Sequence, residues 1–255
     1  MRAIVLTSTG LRHKYFANEM AKHFDIVAVF AEAKKNYYTA QRVESDSVQL
    51  HFEKLSKAEE KWFSLPACQD IPELQEVKNI NSLGVLEQSL AFKADCICLF
   101  GTAILKPIWL NAFENRIINL HLGLSPYYRG SATLFWPFVY RELQYLGTTI
   151  HLAIEKVDAG ALLHRVQPNL LVDEDYYAIT NQLIRDSMEQ MPKVITRYLE
   201  GHISPKPQEA IKGSRLCKKA DFNESALQKM LEYAGEGLKQ SEIDQIMEAK
   251  CQFWL

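Results

Sequence analysis

The stretch from Ala3 to Glu32 leaves few folds open. "AIVLTS" is a compact apolar run that stops at small polar residues and Gly10. "KYFANEMAKHF" then carries apolar residues at helical spacing and leads into a second apolar run, "DIVAVFAE". Strand, helix and strand in that order make a βαβ unit, which predicts a parallel sheet with a right-handed crossover.

The rest of the chain continues in the same idiom. Residues 37–60 are polar, with helical charge spacing in "HFEKLSKAEEKWF", and read as a peripheral helix. "NSLGVLEQSLAFKA" is an amphipathic helix with Asn81 or Ser82 as its N-cap, delivering the chain into the strand "DCICLFGT". A short helix near Pro107, the strand "RIINLH", the helical "SATLFWPFVYREL" and the strand "GTTIHLAIEK" follow. "ALLHRVQPNL" alternates enough to be a strand antiparallel to its neighbour. "YYAITNQLIRDSMEQMPKVITRYLEG" is a long helix closed by Gly201. Beyond Pro205 and Pro207 two short helices are expected, around Ser225 to Tyr233 and Ser241 to Ala249. The expected fold is α/β, a Rossmann-like, mostly parallel twisted sheet with helices on both faces. Residues 1–203 are expected to form one domain and residues 204–255 a short C-terminal helical extension.

Composition narrows the partners. Hydrophobic residues make up 47% of the 255 and charged residues 24%, as in soluble globular proteins. A net charge of -2, from 29 basic and 31 acidic residues, gives no footprint for nucleic acid or an anionic membrane. No run approaches the ~20 apolar residues of a spanning helix, and the N-terminal apolar run is too short for a signal peptide. The five cysteines (Cys68, Cys96, Cys98, Cys217 and Cys251) are odd in number and show no CxxC pair. Cys96 and Cys98 share a strand face without further ligands nearby, so they read as small buried hydrophobes. No metal site is expected, and a reducing, cytoplasmic compartment fits.

"NLHLGLSPYYRG", from Asn119 to Gly130, breaks the apolar pattern. Asn119 and His121 are two apart on a strand, so they share a face, and they lie at its carboxyl end, where open α/β sheets bind ligands. Alone, such a pair reads more plainly as a capped strand end with a satisfied core histidine. Two features weigh against that. Pro126 and Gly130 restrict the loop that follows, and "GTTIHLAIEKVDAG" supplies Asp158 in a turn between two strands. A carboxylate there can orient and charge-stabilise an imidazole.

These residues resemble the folate-dependent formyltransferase family, whose motif is N-x-H-x-S-L-L-P-x-x-R-G followed by a G-x-T-x-H strand and D-x-G. Asn119, His121, Pro126, Arg129 and Gly130 match its first part, and Gly147, Thr149, His151, Asp158 and Gly160 its second. The resemblance implies transfer of a formyl group from N10-formyltetrahydrofolate to an amine. His121 would be the general base and later acid, Asn119 the oxyanion donor, and Asp158 the group that orients His121. It also implies that the loop "FGTAIL" reads the pteridine through its backbone, placing Thr102, Ala103, Ile104 and Leu105, with Asp158, in donor binding. Ser8, Thr9 and His13 sit on the same rim and are given a minor substrate-binding role. His151 reads as structural, and Phe135, Trp136, Phe138 and Tyr140 as core. His23, His51, His164 and His202 carry no functional claim.

Gly123 and Ser125 depart from the motif, in a loop expected to face donor and acceptor. From Pro205 onward eight basic residues balance eight acidic ones, which disfavours transfer RNA, and the opening "LTSTGLRHKYF" is unlike the start of glycinamide ribonucleotide formyltransferases. By elimination, and because "HLGLSPYYRG" together with "RHKYF" resembles formyltransferases of surface-carbohydrate pathways, the expected acceptor is the amino group of a nucleotide-linked amino sugar in surface-polysaccharide synthesis. The alternatives are methionyl-tRNA or glycinamide ribonucleotide formyl transfer, hydrolysis of formyltetrahydrofolate, and a non-catalytic folate binder. A homodimer is expected through the C-terminal helices, with Trp254 and Leu255 in the interface.

Overall fold

The computed structural model describes residues 1–33, 45–64 and 71–250. Cys68, Cys251, Trp254, Leu255 and the first part of the polar stretch after Tyr37 lie outside the described residues. β1 (Arg2–Ser8) enters α1 (Leu11–Ala21) and the chain returns as β2 (Asp25–Glu32), parallel to β1. α2 (Asp46–Phe63) precedes β3 (Leu74–Val77), which pairs with β2. α3 (Leu83–Ala91) leads to β4 (Cys96–Leu99) on the other side of β1, and α4 (Pro107–Ala112) leads to β5 (Ile117–His121) beside β4. All of these pairings are parallel.

The next stretch departs from expectation. β6 (Tyr128–Gly130) leaves the main sheet, and the helix expected from Ser131 shrinks to α5 (Trp136–Val139) and a 3-10 turn at Leu143–Tyr145. Ala132 and Arg141 both take a φ of 54°, in the left-handed region, which bounds α5 on either side. β7 (Thr148–Leu152) and β8 (Leu162–Val166) then add two antiparallel strands, giving the order β3-β2-β1-β4-β5-β7-β8. The expected antiparallel strand is therefore present.

α6 (Tyr176–Leu199) starts where the Asp175 carboxylate accepts the Ala178 N–H at 2.8 Å and closes at Gly201, φ 76°. After it come β9 (Arg215–Cys217), which the helical reading of this segment did not anticipate, then α7 (Glu224–Ala234) and α8 (Gln240–Lys250). β9 pairs in parallel with β6 in a separate two-stranded sheet.

Two cores explain why β1 is apolar without alternation. Ala3 and Val5 pack on one face with Phe16 and Met20 of α1 and Leu183 and Met188 of α6. Ile4 and Leu6 pack on the other with Leu86 of α3 and Trp109 of α4. Successive side chains point to opposite faces and both faces are covered, so every position from Ala3 to Ser8 is buried. Leu227, Met230, Ile243 and Ile246 of α7 and α8 belong to the first of these cores. No helix among the described residues is long and apolar enough to cross a membrane.

Trp109 anchors the second core. It is fully buried, its indole N–H donates to the Ile80 carbonyl at 3.1 Å, and its ring lies 6.0 Å from that of Phe113. Trp109→Ala is expected to cost about 3–5 kcal/mol in urea denaturation. Trp109→Phe should cost less, because it keeps most of the buried area.

Candidate active site

The pairing of β5 with β7 creates the site. Their antiparallel register sets Asn119 opposite His151 and His121 opposite Thr149, and residues directly opposite share a face. The Asn119 amide nitrogen lies 3.1 Å from Nε2 of His151. Nδ1 of His151 lies 2.8 Å from the Leu152 carbonyl, which can only accept, so this nitrogen carries the proton. Nε2 is then a lone pair, and it accepts one N–H of Asn119. Burial is the main influence on His151 and holds its pKa down at about 4, aided by the neighbouring His121 and opposed by the Leu152 hydrogen bond and Asp158. His151 is a neutral acceptor near neutral pH, and it fixes which way the Asn119 amide faces.

His121 ends β5 and is 6% exposed. Its Nε2 lies 3.0 Å from the carbonyl of Tyr128, so Nε2 carries a proton and Nδ1 faces the other way. Nδ1 is 3.4 Å from Oδ2 of Asp158, while Oδ1 of Asp158 is 3.8 Å from Nε2 of His151. The Gly130 N–H also donates to Oδ2, at 2.9 Å. Asp158 itself has a φ of 49°, in the turn between β7 and β8. Asn119, His121 and Asp158, singled out from the sequence, thus come together.

Gly123 and Ser125 have another explanation than acceptor choice. A Cβ on Gly123 would stand 2.4 Å from Nε2 of His121 and 2.7 Å from the Tyr128 oxygen. Glycine is therefore what lets the imidazole reach that carbonyl. Ser125 is fully buried, accepts on its carbonyl from the Arg165 guanidinium at 2.8 and 3.1 Å, and donates its hydroxyl to the Asp158 carbonyl at 3.2 Å. Both residues shape the loop, and neither lines the cleft beside it.

A cleft of about 1310 Å³ runs along the carboxyl edge of the sheet and includes Asn119, His121, His151 and Asp158 in its wall. Thr102, Ala103, Ile104 and Leu105 line it as well. Their loop is braced by two residues that sequence pattern did not connect with it. Glu32 accepts the N–H of Ala103 at 2.8 Å and that of Ile80 at 2.9 Å. Asn81, expected as a helix cap, donates to the Ile104 carbonyl at 3.0 Å and accepts the Lys106 N–H at 2.8 Å. Leu105 is buried, and Ile104 is left 64% exposed at the cleft.

Ser8 and His13 also reach the cleft wall, His13 stacking on Phe100 at 4.9 Å. Phe135, Trp136 and Phe138 are buried as expected. Tyr140 is not: it is 45% exposed and lies under the Arg215 guanidinium, 4.1 Å away. His151, expected as a strand residue of purely structural use, stands inside the cluster. Cys96 and Cys98 are buried in β4, and no metal-holding group of side chains occurs among the described residues.

Residues 1–195 match the family described as formyl transferase. Methionyl-tRNA formyltransferase of Geobacillus thermodenitrificans is 31% identical over 146 residues, covering 56% of this chain and 45% of that protein. The enzyme of the same name from Clostridium acetobutylicum is 28% identical over 141 residues, covering 54% and 45%. The chain thus spans less than half the length of these curated relatives. Among solved structures, a sugar N-formyltransferase from Shewanella sp FDAARGOS_354 superposes with a TM-score of 0.60 at 14% identity, covering 91% of this chain and 88% of that one. Phosphoribosylglycinamide formyltransferase from Streptococcus pneumoniae TIGR4 gives 0.53 at 21% identity, covering 78% and 99%. These likenesses are of fold.

Two outcomes follow from the geometry. Gly123→Ala forces a Cβ between His121 and the Tyr128 carbonyl, and should cost about 1–3 kcal/mol of stability by denaturation. The second concerns acid. His51, buried beside Tyr177, is held down at about 4 like His151, chiefly by burial. As pH falls from about 6.5 to about 4, the unfolded chain binds protons that the folded one refuses, so stability drops through that window. Urea midpoints measured across it should decline, and His51→Gln should flatten part of the slope.

Proposed function

Because the chain belongs to the formyl transferase family, we propose that it moves the formyl group of N10-formyltetrahydrofolate to the amino group of a nucleotide-linked sugar. The observation that carries this reading is the cluster of Asn119, His121, His151 and Asp158 at the edge of a large cleft. In the transfer, a bond forms between the amine nitrogen and the formyl carbon, and the bond from that carbon to the donor nitrogen breaks. Negative charge gathers on the formyl oxygen. One Asn119 N–H is committed to His151, and the other is the donor for that oxygen. Nδ1 of His121 takes the proton of the attacking amine and returns it to the leaving nitrogen. Asp158, across from Nδ1, stabilises the imidazolium between those steps.

The donor fits what lies beside this cluster. A pterin is flat and edged with hydrogen-bonding groups, and the loop at Thr102 to Leu105 offers the apolar Ile104 and Leu105 next to a backbone that Glu32 and Asn81 hold still. For the acceptor, the cleft extends between α1, α2 and α6, where the half-buried Phe52 and Phe222 line its wall in front of the buried His51, Phe135 and Tyr176. Such rings suit a nucleobase or the apolar face of a sugar. Sugar N-formyltransferases among the structures of like fold support this acceptor class. A second reading, methionyl-tRNA as acceptor, is favoured by the names of the curated relatives.

Incubation with N10-formyltetrahydrofolate and, in turn, nucleotide-linked amino sugars, glycinamide ribonucleotide, methionyl-tRNA or no amine separates the readings. Formylated sugar is the expected product. Formate released without any amine indicates a hydrolase, and no turnover at all a folate binder. His121→Ala should lower kcat by about 10²–10⁴-fold, and Asn119→Ala by about 10²–10³-fold. Undiminished transfer by His121→Ala sinks the mechanism.

A further inference from the structure

We propose that Gln208 is a positioning residue for the acid–base pair, holding the Asp158 turn so that its carboxylate faces His121. The inference rests on the catalytic roles proposed above for these two residues. Lys206 and Leu162 exchange backbone hydrogen bonds of 2.9 and 2.7 Å, which lays the segment after Pro205 against the start of β8. Gln208 then lies over the turn between β7 and β8. Its amide nitrogen donates to the Asp158 carbonyl at 3.0 Å and to the Gly160 carbonyl at 2.7 Å. Both partners can only accept, so the orientation of the amide is settled by its neighbours.

That grip matters because of the conformation it holds. Asp158 sits at a φ of 49°, in the left-handed region that most L-residues avoid and that Asp tolerates in turns. A Cβ on Gly160 would meet the Leu152 carbonyl at 1.7 Å, so the turn lies hard against β7 and has one seating. With the backbone fixed by Gln208 from one side and by the Ser125 hydroxyl from another, the carboxylate reaches Nδ1 of His121 and the Gly130 N–H together. The same segment also steadies the other half of the pair. The Ser214 hydroxyl donates to the Pro126 carbonyl, and the Arg215 N–H to the Tyr127 carbonyl at 2.7 Å. β9 then lines β6, which contains the Tyr128 carbonyl and the Gly130 N–H.

The test compares Gln208→Met, which keeps length and removes both donors, with Gln208→Lys, which restores a donor. Each is first shown to melt cooperatively. With N10-formyltetrahydrofolate and the acceptor found by the panel above, Gln208→Met is expected to lower kcat by about 10- to 100-fold, as displacement of a catalytic group does. Donor KM should stay within about twofold, because the donor loop is untouched. Gln208→Lys should recover much of the loss. Independently of turnover, the ring-nitrogen NMR signals of His121 should move in Gln208→Met and return in Gln208→Lys, while those of His164 and His202 stay put. If Gln208→Met does not fold, Gln208→Asn, which withdraws the amide by one methylene, carries the same expectations. A folded variant with unchanged kcat or an unmoved His121 signal overturns the proposal. Wild-type protein inactive with every amine overturns the transferase reading instead, and the NMR comparison still decides the role of Gln208.

Discussion

The hydrogen bond from His121 Nε2 to the Tyr128 carbonyl spans seven positions of the chain, and its direction is fixed only if the loop between them is. Much of the surrounding structure serves this end. Gly123 leaves room for the imidazole, and Thr149 accepts the Ser125 N–H at 2.9 Å while donating to the Gly123 carbonyl at 2.7 Å. Arg165 caps the Ser125 carbonyl from β8. The hydroxyl of Tyr128 donates to Glu142, whose other oxygen is held by Arg215 at 2.9 Å. Burial and the carboxylate keep that phenol protonated, with a pKa far above its usual value. Each contact is worth about 1 kcal/mol or less where water competes. Together they convert a surface connection into a fixed support for one ring nitrogen.

The sheet supplies the other constraint. Up to β5 its pairings are parallel; from β5 to β7 the direction reverses. A parallel neighbour at that position would present its own carboxyl end and a crossover helix. The antiparallel β7 instead runs back past Asn119, placing His151 directly opposite, and continues into the turn that carries Asp158. Asn119, His121 and His151 therefore come from one strand junction, where ladder hydrogen bonds restrict their relative motion more than a loop could, and Asp158 comes from the turn that follows it.

Sequence pattern made some of this visible and hid the rest for identifiable reasons. Asn119 and His121 stood out because two polar residues interrupt an apolar strand with period two. Asp158 stood out as an acid in a short turn between strands. His151 matched the motif but read as structural, because a single histidine in "TTIHLAI" looks like an ordinary strand residue until the register pairs it with Asn119. Register is a property of two segments, and neither encodes it alone. β6 and β9 were invisible on the same ground: each is three residues long, and they pair across 87 positions of the chain. The helix expected from Ser131 is cut short where Ala132 and Arg141 take left-handed φ values, which neither residue type signals. Gly123 was legible as a departure from the motif, but its cause is a clash that only the folded loop creates.

Two histidines within one cluster end up with opposite tasks, and the difference lies in their partners. His151 gives its Nδ1 proton to a backbone carbonyl and is buried deeply enough to resist a second proton, so it can serve only as an acceptor for Asn119. His121 gives its Nε2 proton to a carbonyl as well, but its Nδ1 faces a carboxylate at the cleft. Asp158 lies between them and is not shared evenly. The Gly130 N–H binds the same oxygen, Oδ2, that faces His121, and leaves Oδ1 at 3.8 Å from His151. A backbone donor thus steers the carboxylate toward His121, the imidazole proposed above to carry a proton, and away from His151, whose neutrality fixes which way the Asn119 amide faces.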